Sequence, residues 1–211
     1  RTTSNSVFKT DPLRMLRAFR LASILKFSIS QEVLNDISLY KNNISLMASE
    51  RIWRELISFF KAEKTFELTN LMKKSGLFSC VFPVDIKNWN KILTQFQRLE
   101  NLILNPTLYF PKHTPRIKNP ELLKLSLLLN EIEINSLTEH NGKNDFGRPK
   151  TYEALKSLKA SNNEITFICK SIQNLHFFRN SLSCSANDSA LYDLCLEGGD
   201  QLIEGLLLHA C

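Results

Sequence analysis

Between Asp85 and Asn105, Trp89, Ile92, Leu93, Phe96, Leu99, Leu102 and Ile103 recur at spacings of three and four. That period lays them along one side of a helix with 3.6 residues per turn and does not fit the two-residue alternation of a half-buried strand. Glycine is scarce, 6 of 211 residues, and leucine, lysine, glutamate and asparagine abound, while 43% apolar content is enough to bury a core. Together these predict an all-α fold.

The same period sets out the other helices. The first runs from Asp11 to about Lys26. Asp11-Pro12 reads as N-cap and first helical residue, where a carboxylate can accept from an unpaired N–H and the fixed φ of proline costs nothing. Its length after Ala18 is apolar on most faces, so its far end is expected to be buried and its start accessible. Ser30 is the expected cap of a second helix, Gln31 to Tyr40, ended by Lys41-Asn42-Asn43. Ser49 is the expected cap of a third, with Glu50 in its first turn and an apolar stripe of Ile52, Trp53, Leu56, Ile57 and Phe60 that packs on the first helix. Phe66 to Lys74 stops at Gly76, a C′ residue. Asn105-Pro106 breaks the long helix, and Pro106, Pro111, Pro115 and Pro120, interleaved with Lys112, His113, Arg116 and Lys118, mark a linker.

Beyond the linker, Glu121 to Ile134 is apolar nearly all round and reads as the central helix of a second bundle. Glu139 to Pro149 reads as a loop. Thr151 to Ala160 and Ser161 to Arg179 are helical, with Ser161 and Glu164 at capping-box spacing. A polar turn, Ser181 to Asp188, precedes two short helices, Ala190 to Glu197 and Gln201 to Ala210.

Charge is unevenly placed. The net charge is +6, and the first 26 residues hold six basic side chains against one acid, so nearly all of the excess is there. Arg14, Arg17 and Arg20 follow at three-residue steps, which drift by about 60° each and form a slanting stripe. Such a local cluster suits a polyanion, RNA or a nucleoside triphosphate, or else a solvated basic end. The five cysteines, Cys80, Cys169, Cys184, Cys195 and Cys211, show no metal-ligand spacing, so reduced thiols and no metal site are expected. No apolar run reaches the roughly 18 residues of a membrane span, which points to a cytoplasmic protein with no membrane partner.

The run Asp11-Pro12-Leu13-Arg14-Met15-Leu16-Arg17-Ala18-Phe19-Arg20, followed by Phe27 and then by Ser49-Glu50-Arg51-Ile52 with Glu55-Leu56, resembles the neck of the bacterial class II tRNA nucleotidyltransferase/poly(A) polymerase family. Leu77 to Pro83 resembles that family's short helix before a Phe-Pro turn, and Leu158 to Ile165 its tail. The resemblance implies an elongated array of helical bundles: a nucleotide-selecting neck over 1–62, a body over 63–118 and a tail over 119–211 with a degenerate HD-like region. It implies that the catalytic head domain is absent from this chain, with Mg2+ bound there. No catalytic residue is then expected here, and the fragment alone should be inactive.

By the same resemblance Asp11 and Arg14 are the template that reads the incoming base, Arg17 and Arg20 complete the nucleotide-binding surface, and Glu50 and Arg51 are neck architecture. A carboxylate and a guanidinium one turn apart suit cytosine and adenine, which both offer an amine beside a ring acceptor. Guanine and uracil present a carbonyl and an N–H in those places. Asp11 can serve either as this reader or as a helix cap, and the two roles compete for the same oxygens. The family usually carries an acid just before this Asp, where Thr10 stands here.

Two metal readings are rejected. Asn130-Glu131 stands where many relatives have a histidine–aspartate metal motif, so phosphohydrolase chemistry is not expected. Gly198-Gly199-Asp200 lacks any accompanying Asp-x-Asp and reads as a turn between helices. The function implied is the C-terminal part of a CTP/ATP:tRNA nucleotidyltransferase that adds or completes the 3′ CCA end, with ATP and CTP as substrates and the tRNA 3′ end as partner. A poly(A) polymerase of the same family, and a non-catalytic helical RNA-binding module, remain as alternatives.

Overall fold

The structure, a computed structural model, describes residues 7–82, 88–112, 115, 117–137, 150–183 and 202–211. Every regular element among them is helical, as the periodicity predicts. The described chain divides into two compact units. One comprises residues 1–87 with Ala154–Ala160, and the other Asn88–Glu153 with Ser161–Cys211. These cuts fall at other positions than the neck, body and tail boundaries named from the resemblance.

The first unit opens with a short helix that the sequence pattern does not announce, α1 (Val7–Thr10), anchored by buried Phe8. Then come α2 (Leu13–Leu25), α3 (Gln31–Tyr40), a 3₁₀ turn (Lys41–Leu46), α4 (Ser49–Phe60), α5 (Phe66–Lys74) and α6 (Leu77–Val81). Helix α4 packs on α2, as expected from its stripe. Leu13, Met15, Leu16 and Phe19 of α2 meet Ile52, Trp53, Leu56, Phe59 and Phe60 of α4 in a fully buried seam, in which the rings of Phe19 and Phe59 sit edge to face at 6.5 Å. Edge-to-face rings add to area burial through their quadrupoles.

Two local expectations are corrected, at Ser49 and at the far end of α2. The second helix ends at Tyr40 as expected, and Lys41-Asn42-Asn43 opens the 3₁₀ turn that follows. Ser49 is the first helical residue, not the cap; Ala48 takes the cap position and provides no side-chain acceptor. The far end of α2 is less buried than expected, with Ala22 and Ser23 buried but Leu21, Ile24, Leu25 and Phe27 exposed, while its start keeps Arg14 exposed above buried Leu13, Met15 and Leu16. The reason is angular. Leu21 and Leu25 lie seven and eleven residues beyond Arg14, on the same exposed face of the helix. Ser30 does cap α3, its Oγ accepting from the Val33 N–H at 3.4 Å. Gly76, at φ 79°, takes the left-handed position after α5, as its C′ reading requires.

The second unit holds α7 (Trp89–Leu104), α8 (Pro106–Tyr109), α9 (Pro120–Leu137), α11 (Asn162–Ser183) and α12 (Leu202–Ala210), while α10 (Lys150–Ser157) crosses the division. Helix α9 is central: Leu122, Leu123, Leu125, Leu127, Leu128 and Leu129 are all buried, and it packs against α7, α11 and α12. The capping box forms, with the Ser161 N–H donating to Glu164 at 2.8 Å and the Glu164 N–H to Ser161 Oγ at 3.4 Å. The proline-rich linker is partly helical, since Pro106 and Pro120 each start a helix, a position where a missing N–H is harmless. Helix α11 continues through Ser183, beyond the start of the expected polar turn. Asp85 to Lys87, His113, Arg116, the 139–149 loop, the Ala190 to Glu197 helix and Gly198-Gly199-Asp200 lie outside the described residues.

Candidate nucleotide-reading site

The site lies in the first unit, where the start of α2 runs beside α4. Asp11 sits between α1 and α2 with its N–H bonded to Val7 O at 3.1 Å and its carbonyl accepting from the Arg14 N–H at 3.1 Å. These backbone bonds fix the carboxylate's origin. Pro12 occupies the cap position of α2, and no side chain caps the helix. The capping reading of Asp11 is therefore corrected: the short α1 delivers the chain already in helical geometry, and the carboxylate is left for arginines.

Asp11 Oδ2 receives the Nε–H of Arg14 at 3.3 Å and lies 3.6 Å from Nη1 of Arg17. Among the described residues, Asp11 Oδ1 and the two terminal nitrogens of Arg14 make no hydrogen bond. The Arg14 side chain is 55% exposed and that of Asp11 29%. An acceptor and a pair of donors without hydrogen bonds thus belong to two neighbouring, partly exposed side chains. Chemically, those groups can accept one N–H and donate two.

Behind it lies an acid absent from the site residues expected from the sequence. Glu55 of α4 places Oε1 3.1 Å from Arg17 Nε and Oε2 3.0 Å from Arg20 Nε. The Arg17 contact is a hydrogen bond, whereas the Arg20 contact is an ion pair without hydrogen-bond alignment. Glu55 is 12% exposed, and its arginines are 37% and 30% exposed. Three guanidinium charges meet two carboxylates, so the cluster keeps a small positive excess. A signal for Glu55 was present in the sequence: position 55 lies three after Ile52 and four before Phe59, on the edge of the buried stripe, where a lone acid requires a cation.

Glu50 and Arg51 are exposed in the first turn of α4. Adjacent residues on a helix do not face each other, and no ion pair joins these two. The structure brings Asp11, Arg14, Arg17 and Arg20 together and leaves Glu50 and Arg51 outside their contacts. Among the described residues there is no group of three His, Cys, Asp or Glu side chains able to hold a metal, and no helix long and apolar enough to cross a membrane.

Among the described residues the regular elements are helical, and the arginine-rich start of α2 is tied to an acid of α4. Comparison with known proteins places the chain more closely. Residues 26–84 match the family described as "Probable RNA and SrmB-binding site of polymerase A", a segment that takes in Glu55 and begins after Arg20. The fold is similar to that of the Thermotoga maritima CCA-adding enzyme complexed with tRNA, with a TM-score of 0.70 at 16% identity over 99% of this chain and 47% of that one. It is also similar to a chain of a tRNA-processing enzyme complex, with a TM-score of 0.67 at 17% identity over 97% of this chain and 52% of that one. No curated protein gives a significant sequence match. The family match takes in α4 and not α2, and the solved structures share the fold over nearly the whole of this chain. The chain spans about half the length of the solved chains it matches.

Proposed function

We propose that this chain is the base-selecting and tRNA-holding part of a CTP/ATP:tRNA nucleotidyltransferase that adds or completes the 3′ CCA end. The observation that carries the reading is that, among the described residues, Asp11 Oδ1 and the terminal nitrogens of the neighbouring Arg14 make no hydrogen bond. Adenine would donate its exocyclic amine to Asp11 and accept at its ring nitrogen from Arg14. Cytosine would do the same, with its carbonyl taking the second Arg14 donor. Guanine and uracil would set a carbonyl against the carboxylate and an N–H against the guanidinium, leaving both mismatched in a partly dry site. The outer nitrogens of Arg17 and Arg20 would add positive potential toward the triphosphate.

Phosphoryl transfer in such an enzyme uses Mg2+ to stabilise charge on the reacting oxygens. No residue of this chain is assigned to that ion, and the transfer step belongs to a catalytic head outside these 211 residues. ATP, CTP and the tRNA 3′ end are the proposed ligands. The relative seen with tRNA and the RNA-binding description of 26–84 support the tRNA assignment.

The description of that same segment names polymerase A, which favours a second reading as the corresponding part of a poly(A) polymerase. Full-length protein incubated with tRNAs ending before each position of CCA, and with single labelled nucleotides, separates the two. A CCA- or A-adding enzyme stops at the completed end and takes only C or A in order. A poly(A) polymerase adds adenylate repeatedly to unrelated RNA. Failure to add any nucleotide, with RNA binding retained, would leave a non-catalytic RNA-binding module.

A further inference from the structure

Glu55 stands behind the reading edge and does not face it. Its two oxygens are divided between Arg17 and Arg20, and Arg17 in turn reaches Asp11 Oδ2, so α4 is tied through one guanidinium to the carboxylate that would read the base. Arg14 and Arg17 share Oδ2, and among the described residues Oδ1 makes no hydrogen bond. We propose that Glu55 is a positioning residue that sets base selectivity by holding Arg17 away from Asp11 Oδ1. This rests on the base-reading role of Asp11 and Arg14.

The physical argument is one of competition. An arginine carries five donors in a rigid fork and prefers a two-pronged grip on a carboxylate. Arg17 Nη1 is 3.6 Å from Asp11, a loose contact, while its Nε is held closer, at 3.1 Å, by Glu55. Without the Glu55 charge, Arg17 gains by rotating to grip both oxygens of Asp11. That closes the acceptor a C or A amine would need. With Asp11 covered, the remaining donors of Arg14 and Arg17 beside the base would favour a carbonyl-bearing edge. Guanine and uracil then become better ligands as cytosine and adenine become worse. Glu55 is well placed for this duty because α4 is rigidly seated on α2 through Phe19, Phe59 and Leu56, all essentially buried.

The test uses the full-length protein and truncated tRNA, measuring kcat and KM for each of the four nucleotides in wild type, Glu55→Gln, Glu55→Asp and Asp11→Asn. Glu55→Gln keeps shape and removes charge. It is expected to lower the preference for C and A over G and U by about tenfold or more, the scale of a lost bidentate base contact, mainly by raising KM for the correct nucleotide, with tRNA affinity kept in the folded variant. If Glu55→Gln does not fold, Glu55→Asp, which keeps the charge but shortens its reach, carries the same expectation at smaller size. Wild-type selectivity in the folded glutamine variant, or in the aspartate variant where only that one folds, overturns the proposal. If Asp11→Asn loses selectivity while the Glu55 variants do not, only the positioning role fails. If wild type shows no preference, the base-reading role fails and this proposal falls with it.

Discussion

Lys124 Nζ of α9 lies 2.9 Å from Glu100 Oε1 of α7, and both side chains are almost wholly excluded from water. Two buried charges are tolerated because they are paired, and breaking a buried pair is strongly destabilising. Glu100→Gln or Lys124→Met is expected to destabilise the protein by about 3–5 kcal/mol, read from urea denaturation. Replacing both by apolar residues of similar volume should recover most of the loss. A single variant that loses under about 1 kcal/mol, the scale of an exposed pair, would contradict this.

Gly205 is required by close packing, not by backbone freedom. A Cβ there would stand 2.3 Å from the Cβ of Asn174 and 3.1 Å from its carbonyl carbon, where α12 crosses α11. Alanine is the better helix former by about 1 kcal/mol, yet Gly205→Ala is expected to lower stability, since overpacking costs about 1–3 kcal/mol. A melting temperature equal to or above wild type would show that the crossing can yield.

His176 supplies a pH dependence. Burial chiefly, and the charge of Arg179 next, hold its imidazole below the ordinary value of 6.5. The unfolded chain therefore binds a proton that the folded one refuses. Stability is fully present above pH 6.5 and falls as pH drops below it. Thermal melts between pH 7.5 and pH 5.5 should show this decline in wild type and a smaller one in His176→Gln. An identical decline in both would assign it to other groups.

Cys211 should be a slow thiol. Burial is the main cause of a pKa pushed up to about 12, against the opposing charge of Arg98, and its Sγ is bonded to Leu207 O at 3.2 Å. Because the thiolate is the nucleophile, iodoacetamide at pH 8 should label the half-buried Cys80 and Cys169 well before Cys211, as mass spectrometry would resolve. Equal labelling rates would contradict the burial argument.

The helical fold was legible because the apolar period of α4 and α7 and the leucine-rich length of α9 are local signals that packing only reinforces. Caps were legible where a side chain could close a local ring, as at Ser30 and Ser161. They were misread at Asp11, where the unannounced α1 supplied the helix geometry and long-range ion pairing claimed the carboxylate. The gathering of Asp11, Arg14, Arg17 and Arg20 could be read from their spacing on one helix. Glu55 was harder to find because its partners are 38 and 35 positions away in sequence, and only the seating of α4 on α2 brings them together. The exposed far end of α2 was missed for a related reason: apolar content shows that a face could be buried, not that another element exists to cover it.

The central claim, that Asp11 and Arg14 read the base, is tested most directly by the ratio of C and A incorporation to G and U incorporation in full-length protein carrying Asp11→Ala or Arg14→Ala. The account predicts that each substitution lowers that ratio by about tenfold or more, the scale of one good bidentate contact, while tRNA binding and melting temperature hold. An unchanged ratio in both folded variants would contradict it.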